Sequence, residues 1–470
     1  MRMPNSEEMS DEQRDIYQHA PVDGAILIAG PPGTGKTVIA FLRADSLSAS
    51  KNTTVMVFNR VLREFTNNIP DEELDNPSNI SVLTHHKWTQ DFFNKVKNEL
   101  EPIPTGNKKI YLPLVTFDLK DQVKKIGGRW DGYKKCWFVW ENVYEENKKL
   151  LEPWRKKKVK EQVVPSKDND NSSNDGFKEF DWESIWKVCN EARSKPEVQK
   201  NLNWGHLIID EGQDLPEEFY KVLDKIRHLM FSEFLEKDKP AVTVFADENQ
   251  KLSSTNSTIS QISTSLSISE DRHFNLTENY RNTLQIAKLA EKFYVGLGKK
   301  PELPMDREGD LPVLLVKKTL DMHIDYIVRY IGNKSHEEIG IIANTDKDRK
   351  EIFKKLKEKL TEKDINIQTY SSNPKDKTAT KPQDLKFDEK GIGVYNRQSC
   401  KGLEFDTVFL PELQNFKIDA INDFNMAMYV MCSRARLSLY LMISNEGEED
   451  PTILKHLVHD ETILEEQRDG

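Results

Sequence analysis

Short apolar runs alternate with helical patterns along most of the chain. An apolar run that ends in a polar loop is typical of a buried strand. The clearest runs lie at residues 25–29, 55–58, 82–84, 206–209, 311–316, 339–343, 408–410 and 439–442. This alternation predicts the α/β class, with parallel sheets that carry helices on both faces.

The same pattern divides the chain into lobes and an insertion. The predicted parts are a first lobe (1–95 and 181–270), an insertion (96–180) with a flexible polar linker (165–176), a second lobe (271–445) with a polar loop at about 370–390, and an acidic tail (446–470). We expect one short helix in the tail, near residues 452–458.

Composition narrows the class of protein. The 470 residues have a formal net charge of −10, so any nucleic-acid site must be a local groove. The four cysteines, Cys136, Cys189, Cys400 and Cys432, have neither a C-x-x-C pair nor histidines at metal spacing. This argues against zinc and disulfides and favours a reducing compartment. Without a signal-peptide core or a long apolar run, we expect a soluble, cytoplasmic protein with no membrane partner.

A loop of the form G-x-x-x-x-G-K-T follows the first apolar run and opens a helix. Its residues are Gly30, Pro31, Pro32, Gly33, Thr34, Gly35, Lys36 and Thr37. Glycines allow backbone N–H groups to turn inward around phosphate oxygens at the positive end of a helix. In this pattern Lys36 reaches the β- and γ-phosphates, and the Thr37 hydroxyl binds Mg²⁺. The loop therefore predicts binding of a nucleoside triphosphate.

A pair of carboxylates follows the apolar run at 206–209. Asp210 and Glu211 open the sequence DEGQD. At the end of a strand that faces a phosphate-binding loop, Asp210 is expected to hold Mg²⁺ and Glu211 to polarise the attacking water.

Further short motifs occur in order along the chain. They are DEQR at 11–14, FADENQ at 245–250, NYRN at 279–282, KGLEFD at 401–406 and YVMCSRAR at 429–436. Together with the phosphate loop and DEGQD, they resemble the motifs of superfamily 1 helicases of the UvrD/Rep type. The resemblance covers most of the chain outside about 95–180. It implies two RecA-like lobes that use ATP and Mg²⁺ to move along single-stranded nucleic acid.

The resemblance also assigns nucleotide contacts outside the loop. Gln13 is similar in position to a glutamine that reads adenine, Tyr280 to an aromatic that stacks on it, and Glu404 to a residue that contacts the ribose.

Three more residues are implied as catalytic. Gln250 resembles the residue that links the γ-phosphate to the nucleic-acid site, and Arg281 and Arg434 resemble two arginines that reach the γ-phosphate from the second lobe. Since an arginine at that position is worth about 10³–10⁵ in rate, hydrolysis would require the lobes to close.

Two strand ends match the positions of the family's strand-contacting segments. The candidate nucleic-acid contacts there are Phe58, Asn59, Arg60, Thr84, His86 and Trp88. Phe58 and Trp88 are candidates for stacking on bases, and Arg60, Thr84 and His86 for contact with phosphate or sugar. The alternative is that the aromatic residues at these strand ends belong to the core.

Three segments depart from the family's pattern. Val38 stands where relatives often have arginine, residues 396–398 read NRQ in place of T-x-H, and residues 251–254 lack the Tyr and Trp that stack on bases in relatives. Such stacking is worth about 1–3 kcal/mol per base, so this chain must hold its strand less tightly or by other residues.

The insertion combines basic and aromatic residues. It reads as a strand, a basic helix, a glycine turn and a strand, and is similar to a small module attached to bacterial DNA-processing proteins. We expect Lys124, Lys125 and Arg129 to lie on one amphipathic helix and contact nucleic acid. Trp130 and Trp137 are interpreted as the core of a mini-domain.

The motifs together predict an ATP- and Mg²⁺-dependent translocase, and the resemblance implies a 3′–5′ DNA helicase. Two alternatives remain open: an RNA helicase or RNP remodeller, and a non-unwinding, ATP-gated subunit that controls a partner such as a nuclease.

Overall fold

The computed structural model describes residues 9–57, 79–100, 109–116, 119–131, 136–155, 180–192, 202–250, 256–296, 300–304, 306–334, 336–361, 365, 367–371, 376, 378–380, 384–385, 391–447 and 449–468. The chain divides into two compact units: Met1–Val96 with Asp175–Gly470, and Lys97–Asn174. The predicted linker at 165–176 lies outside the described residues, as does most of the predicted loop at 370–390.

The first lobe begins with alternating helices and strands. These elements are α1 (Asp11–His19), β1 (Ala25–Ala29), α2 (Lys36–Ser48), β2 (Thr53–Val57), β3 (Ile80–Thr84) and α3 (His85–Leu100). The side chain of Ser10 accepts a hydrogen bond from the N–H of Gln13, and the Gln13 side chain accepts one from the N–H of Ser10. This reciprocal pair satisfies N–H groups at the start of α1.

The smaller unit is built on an antiparallel sheet. Its described elements are β4 (Lys109–Leu112), α4 (Lys120–Lys125), β5 (Arg129–Asp131), β6 (Cys136–Trp140), α5 (Glu141–Glu146) and α6 (Lys148–Arg155). The strands are ordered β4-β6-β5, and alternate residues of β4 and β6 form a core with Val123 and Leu151. Trp137 belongs to this core, whereas the side chain of Trp130 lies outside the described part of the chain.

One expectation for the insertion is wrong. Arg129 lies on β5, so it does not share a helix with Lys124 and Lys125. The helix stops because Gly127 takes a φ of 82° and the N–H of Gly128 donates back to the Val123 carbonyl at 2.8 Å. A glycine in this left-handed conformation is a common helix end.

The chain then completes the first sheet. The returning elements are α7 (Trp182–Ala192), β7 (His206–Ile209), α8 (Glu217–Lys225), β8 (Ala241–Ala246), α9 (Ile259–Ser265) and β9 (His273–Asn275). Six described strands pair in parallel in the order β3-β2-β7-β8-β1-β9. Because the strands are parallel, the loops after β1, β7 and β8 leave the same edge of the sheet.

The second lobe contains the other parallel sheet. Its elements are α10 (Leu284–Glu291), β10 (Val313–Lys317), α11 (Leu320–Asn333), β11 (Ile339–Ala343), α12 (Asp346–Thr361), β12 (Ile367–Thr369), β13 (Ile392–Asn396), β14 (Phe405–Leu410), α13 (Ile421–Cys432), β15 (Ala435–Ser444) and β16 (Glu465–Arg468). The described strands are ordered β12-β13-β11-β14-β15-β10-β16.

Both faces of this second sheet are buried. Successive residues of β10 point into different cores, Leu314 into one with α10 and α13 and Leu315 into another with α11 and α12. A parallel sheet covered by helices on both faces is the expected arrangement. The fold prediction is therefore confirmed: the chain is α/β, with two large parallel sheets flanked by helices, as expected of two RecA-like lobes.

The C-terminal segment is not the separate acidic tail that we expected from residue 446. Ile453, Leu454 and Ile463 are buried in the core of the second lobe, and β16 pairs in parallel with β10. The acidic residues of β16 lie on the exposed edge of the sheet. Because the segment is so highly charged, its few buried apolar residues were not recognised in the sequence as part of a core. No helix within the described ranges is long and apolar enough to cross a membrane.

Candidate functional site

The glycine-rich loop leaves β1 at the carboxyl edge of the first sheet. Gly33 and Gly35 have φ angles of 86° and 80°, which L residues avoid. A Cβ atom on Gly33 would lie 2.3 Å from Oδ1 of Asn279, and one on Gly35 would lie 2.6 Å from Nε2 of Gln13. Both conformation and close neighbours therefore require glycine at these two positions.

Lys36 starts α2 and turns back into the loop. Its Nζ donates to the carbonyl oxygens of Gly30 and Pro31 at 2.6 and 2.9 Å. Burial lowers the pKa of Lys36, although three carboxylates at the strand ends act in the opposite direction. Pro32 is buried in the same loop, and the Thr34 hydroxyl donates to the Pro31 carbonyl at 2.9 Å.

Thr37 and Asp210 meet at this edge from different elements. The Thr37 hydroxyl donates to Oδ2 of Asp210 at 2.8 Å, and Oδ1 of Asp210 accepts the N–H of Glu211 at 3.0 Å. Burial, with the neighbouring Glu211 carboxylate, raises the pKa of Asp210 to about 6. A hydroxyl and a carboxylate side by side are oxygen ligands of the kind that Mg²⁺ prefers.

Glu211 holds an unusual backbone conformation. Its φ is 55°, in the left-handed region that side chains other than glycine rarely adopt. Its carboxylate accepts a hydrogen bond from Nε2 of Gln213 at 2.6 Å and lies 3.6 Å from Nζ of Lys401. Burial acts to raise the pKa of Glu211, but Lys401 and Lys36 lead the charges that lower it to about 2. The carboxylate is therefore kept ionised, and local strain of this kind is frequent at functional sites.

Three buried residues of the site, Gln213, Asp214 and Lys401, were not assigned a role from the sequence. Gln213 accepts the N–H of Asp247 at 2.9 Å and so connects Glu211 to the end of β8. Asp214 binds Nζ of Lys401 at 2.5 Å. All three lie in motifs that the sequence contains, and a charged or amide residue within a buried segment is the signal that could have identified them.

The two arginines come to the same region from the second lobe's side of the site. Arg281 pairs with Glu404 and donates to the Ser433 carbonyl at 3.4 Å. Its buried Nε has no hydrogen-bond partner among the described residues. Arg434 is buried and donates through Nε to the Val430 carbonyl at 2.9 Å. Burial is the main cause of the lowered pKa of Lys36, and the positive charge of Arg281 acts in the same direction. Arg281 therefore lies close enough to the loop to affect it electrostatically.

The residues predicted to contact the nucleoside also lie beside the loop. Nε2 of Gln13 donates to the Thr34 carbonyl at 3.0 Å, and the N–H of Tyr280 donates to the Gly33 carbonyl at 2.9 Å. Tyr280 is 39 % exposed, which leaves part of its ring open to solvent. Burial acts to raise the pKa of Glu404, but the Arg281 guanidinium lowers it below its usual value.

The residues predicted to contact nucleic acid are not brought together as the nucleotide-site residues are. Phe58, Asn59 and Arg60 lie outside the described residues, and so does the side chain of Gln250. Thr84 and His86 are half-buried at the end of β3 and the start of α3. Lys124 and Lys125 are exposed on α4, whereas Arg129 is half-buried on β5.

Trp88 is in the core and not on a surface that a base could reach. It is 7 % exposed and lies in what we call the aromatic cluster. This cluster comprises His85, Trp88, Phe92, Phe180, Trp182, Trp204 and Phe219. The Trp88 ring stacks on Phe92 with centroids 5.1 Å apart and meets Phe219 edge-on at 6.1 Å. Because the ring is buried and already stacks on Phe92, Trp88 stabilises the lobe and is not accessible for stacking on a base.

Comparison with known proteins adds a match to the smaller unit. Residues 109–155 match the model of a domain of unknown function, DUF5710. No curated protein matches the chain. Among solved structures, the chain is similar to the C-terminal domain of a possible DNA helicase from Lactobacillus plantarum WCFS1, with 20 % identity and a TM-score of 0.29. That similarity covers 40 % of this chain and 97 % of the other. A TM-score this low does not establish a shared fold.

Proposed function

We propose that this chain hydrolyses ATP with Mg²⁺ and uses the cycle to move along single-stranded nucleic acid, as a 3′–5′ DNA helicase. The observation that carries the proposal is the meeting of Lys36, Glu211 and Arg281 beside one glycine-rich loop. These are a cation for the phosphates, a carboxylate for the attacking water and a second cation from another segment. Together they are the groups that phosphoryl transfer requires.

The residues present fit both ligands of the proposed reaction. Thr37 and Asp210 would hold Mg²⁺, which would neutralise charge on the phosphates. The Nε of Arg281, which has no hydrogen-bond partner within the described part of the chain, suits an anionic oxygen. Gln13 and the partly exposed ring of Tyr280 would contact the adenine, and Glu404 the ribose. Glu211 would orient and polarise the attacking water, since its carboxylate is held in place by Gln213.

We expect movement along the strand of nucleic acid to come from closing and opening of the two lobes during the ATP cycle. Arg281 and Arg434 lie with Glu404 and Ser433 of the second lobe, whereas Lys36 and Glu211 belong to the first. Charge that develops on the γ-phosphate would therefore draw the lobes together, and release of products would let them part. Such alternation can move a strand past the protein. Opening each base-pair step costs only about 1.4 kcal/mol on average.

The test is steady-state ATP hydrolysis by the full chain, alone and with oligo-dT or oligo-U. We expect hydrolysis that rises sharply with oligo-dT and disappears in Lys36→Ala. Lys237→Ala, which removes an exposed lysine of the same lobe, is the matched control and should behave as the wild type. Absence of hydrolysis under all conditions would refute the proposal.

Strand displacement separates the activities within this class. DNA and RNA duplexes with a 3′ or 5′ overhang should be tested with ATP, and the 3′-tailed DNA should be opened. Opening of RNA alone would favour the RNA helicase. Hydrolysis that neither strand stimulates, without displacement, would favour an ATP-gated subunit that controls a partner.

A further inference from the structure

A buried ion pair joins the two lobes beside the carboxylate proposed to activate water. Nζ of Lys401, in the turn between β13 and β14, lies 2.5 Å from Oδ2 of Asp214 in the first lobe. Both side chains are 0 % exposed. The same ammonium group lies 3.6 Å from Oε2 of Glu211. One cation of the second lobe therefore faces two carboxylates of the DEGQD turn.

The turn that receives Lys401 is fixed by the first lobe. The N–H of Asp214 donates to the Glu211 carbonyl at 3.0 Å, and Nδ2 of Asn256 donates to Oδ1 of Asp214 at 3.0 Å. The Tyr220 hydroxyl donates to the Gly212 carbonyl at 2.6 Å. Movement of Asp214 would therefore be transmitted to the backbone of Glu211 through a short turn.

The segment that supplies Lys401 is equally constrained on its own side. The N–H of Cys400 donates to the Asn396 carbonyl and the N–H of Leu403 to the Cys400 carbonyl, both at 3.0 Å. Gly402 takes a φ of 80°, which permits the tight turn. Two residues beyond it, Glu404 pairs with Arg281. The position of Lys401 therefore follows the position of the second lobe.

Stability alone is a weak reason for such a pair. The desolvation of two buried charges often cancels their attraction, and apolar replacements of similar volume are often neutral or stabilising. A buried pair between two lobes instead specifies one relative position, because leaving either charge buried without its partner is strongly unfavourable.

We propose that Lys401 is a positioning residue that couples the second lobe to hydrolysis by binding Asp214 and thereby holding Glu211 in its active orientation. The inference rests on the proposed ATP hydrolysis and adds a contact through which it is regulated. Lys401 acts through the carboxylates of the DEGQD turn and not through the nucleotide. Its loss should therefore slow the chemical step and leave nucleotide binding unchanged.

The test compares Lys401→Met with Lys401→Arg in the full chain. Lys401→Met keeps the length of the side chain and removes its charge, and kcat for ATP should fall on the order of 10²-fold, because a displaced catalytic group typically costs that much. The KM for ATP should stay within about twofold of the wild type. Lys401→Arg, which restores the charge, should recover most of kcat. Lys417→Met, at an exposed lysine of the same lobe, is the matched control.

The double variant Lys401→Met/Asp214→Asn separates positioning from simple stability. It removes both charges of the Lys401–Asp214 pair, so its thermal midpoint should lie closer to that of the wild type than the midpoint of Lys401→Met does. A positioning role predicts that kcat remains low, whereas recovery of kcat would show that the single variant failed only because Asp214 was left unpaired. That recovery would overturn the inference, as would a normal kcat or a raised KM with normal kcat in Lys401→Met. Absence of hydrolysis in the wild type would instead overturn the proposed function itself.

Discussion

Two regions at the same edge of the first sheet are built in opposite ways. After β1, β7 and β8 the chain places charged groups close together, and each of Lys36, Asp210 and Glu211 has a hydrogen-bond or ionic partner. After β3 the chain enters the aromatic cluster, where the rings of Trp88 and Phe219 pack on one another. The polar region has the properties of a functional site, whereas the aromatic region is part of the hydrophobic core.

The difference lies in what burial costs each kind of side chain. A buried carboxylate or ammonium group requires specific partners, so its presence at a strand end indicates a built site. A buried tryptophan requires an acceptor for one N–H group and otherwise only neighbours of suitable shape, and many parts of a fold provide both. Chemistry can therefore be inferred from charged residues at strand ends more safely than from aromatic ones.

The largest effect should come from removing the charge of Glu211 in the polar region. Glu211→Gln keeps the size of the side chain, so ATP should still bind, while turnover should fall by about 10²–10⁴-fold as for the loss of a general base. Steady-state hydrolysis and binding of a fluorescent ATP analogue measure the two quantities. Glu218→Gln, at an exposed carboxylate in the first turn of α8, serves as control. Turnover like that of the wild type in Glu211→Gln would remove the catalytic assignment.

The second prediction concerns the aromatic cluster. Trp88→Ala should lower the free energy of unfolding by about 3–5 kcal/mol, since a large buried ring is replaced by a cavity. Hydrolysis stimulated by oligo-dT should be unchanged per folded molecule, because the ring is buried and does not contact the nucleic acid. Denaturant unfolding and hydrolysis at a temperature where the variant is folded give both values.

Trp88→Phe is the matched variant, since a phenyl ring retains part of the packing on Phe92 and Phe219. It should lose less stability than Trp88→Ala. A Trp88 variant that keeps its stability but loses stimulation by oligo-dT would show that Trp88 contacts the nucleic acid. The contrast between the two regions would then be wrong.

The sequence was sufficient for the features that depend on local order. The phosphate loop and the DEGQD turn follow strands and have fixed spacing, so both their places in the fold and their proximity could be predicted. The pairing of Lys401 with Asp214 could not, because it joins residues 187 positions apart and depends on how the lobes meet.

The same limit applies to the misplaced elements. Trp88 is buried by Trp204 and Phe219, which come from distant parts of the chain. The C-terminal strand β16 is highly charged, and its pairing with β10, together with the burial of Ile453, Leu454 and Ile463, shows that the segment belongs to the second lobe.

The third prediction uses the histidine of the aromatic cluster. Burial lowers the pKa of His85 to about 3, and the neighbouring His86 acts in the same direction. The unfolded chain binds a proton near pH 6.5 and the folded chain does not, so stability should fall as pH decreases below about 6.5. The loss attributable to His85 should approach about 1.4 kcal/mol per pH unit.

His85→Phe should flatten this dependence, measured by denaturant unfolding between about pH 7 and pH 5, the range in which an unperturbed histidine titrates. His85→Gln also removes the titration and should flatten the curve equally, even though it differs in packing. If both variants retain the slope of the wild type, His85 is not the group that titrates, and the cluster is less closed to protons than its packing indicates.

The smallest effect should come from the exposed basic residues of the inserted unit. Lys124 and Lys125 end α4, whose Val123 is buried in the core of that unit, so both ammonium groups are exposed. Lys124→Glu/Lys125→Glu should weaken binding to forked DNA and flatten its salt dependence by just under one log–log unit for each phosphate group that the variant no longer binds. Hydrolysis stimulated by oligo-dT should be unchanged, because these residues are not part of the nucleotide site. Fluorescence anisotropy across a salt series measures affinity and slope together.

Lys148→Glu/Lys149→Glu makes the same change of charge on α6 and should have little effect if DNA binds at α4 alone. Equal weakening in the two double variants would indicate a general effect of charge, and unchanged binding in both would leave the unit without a role in holding DNA.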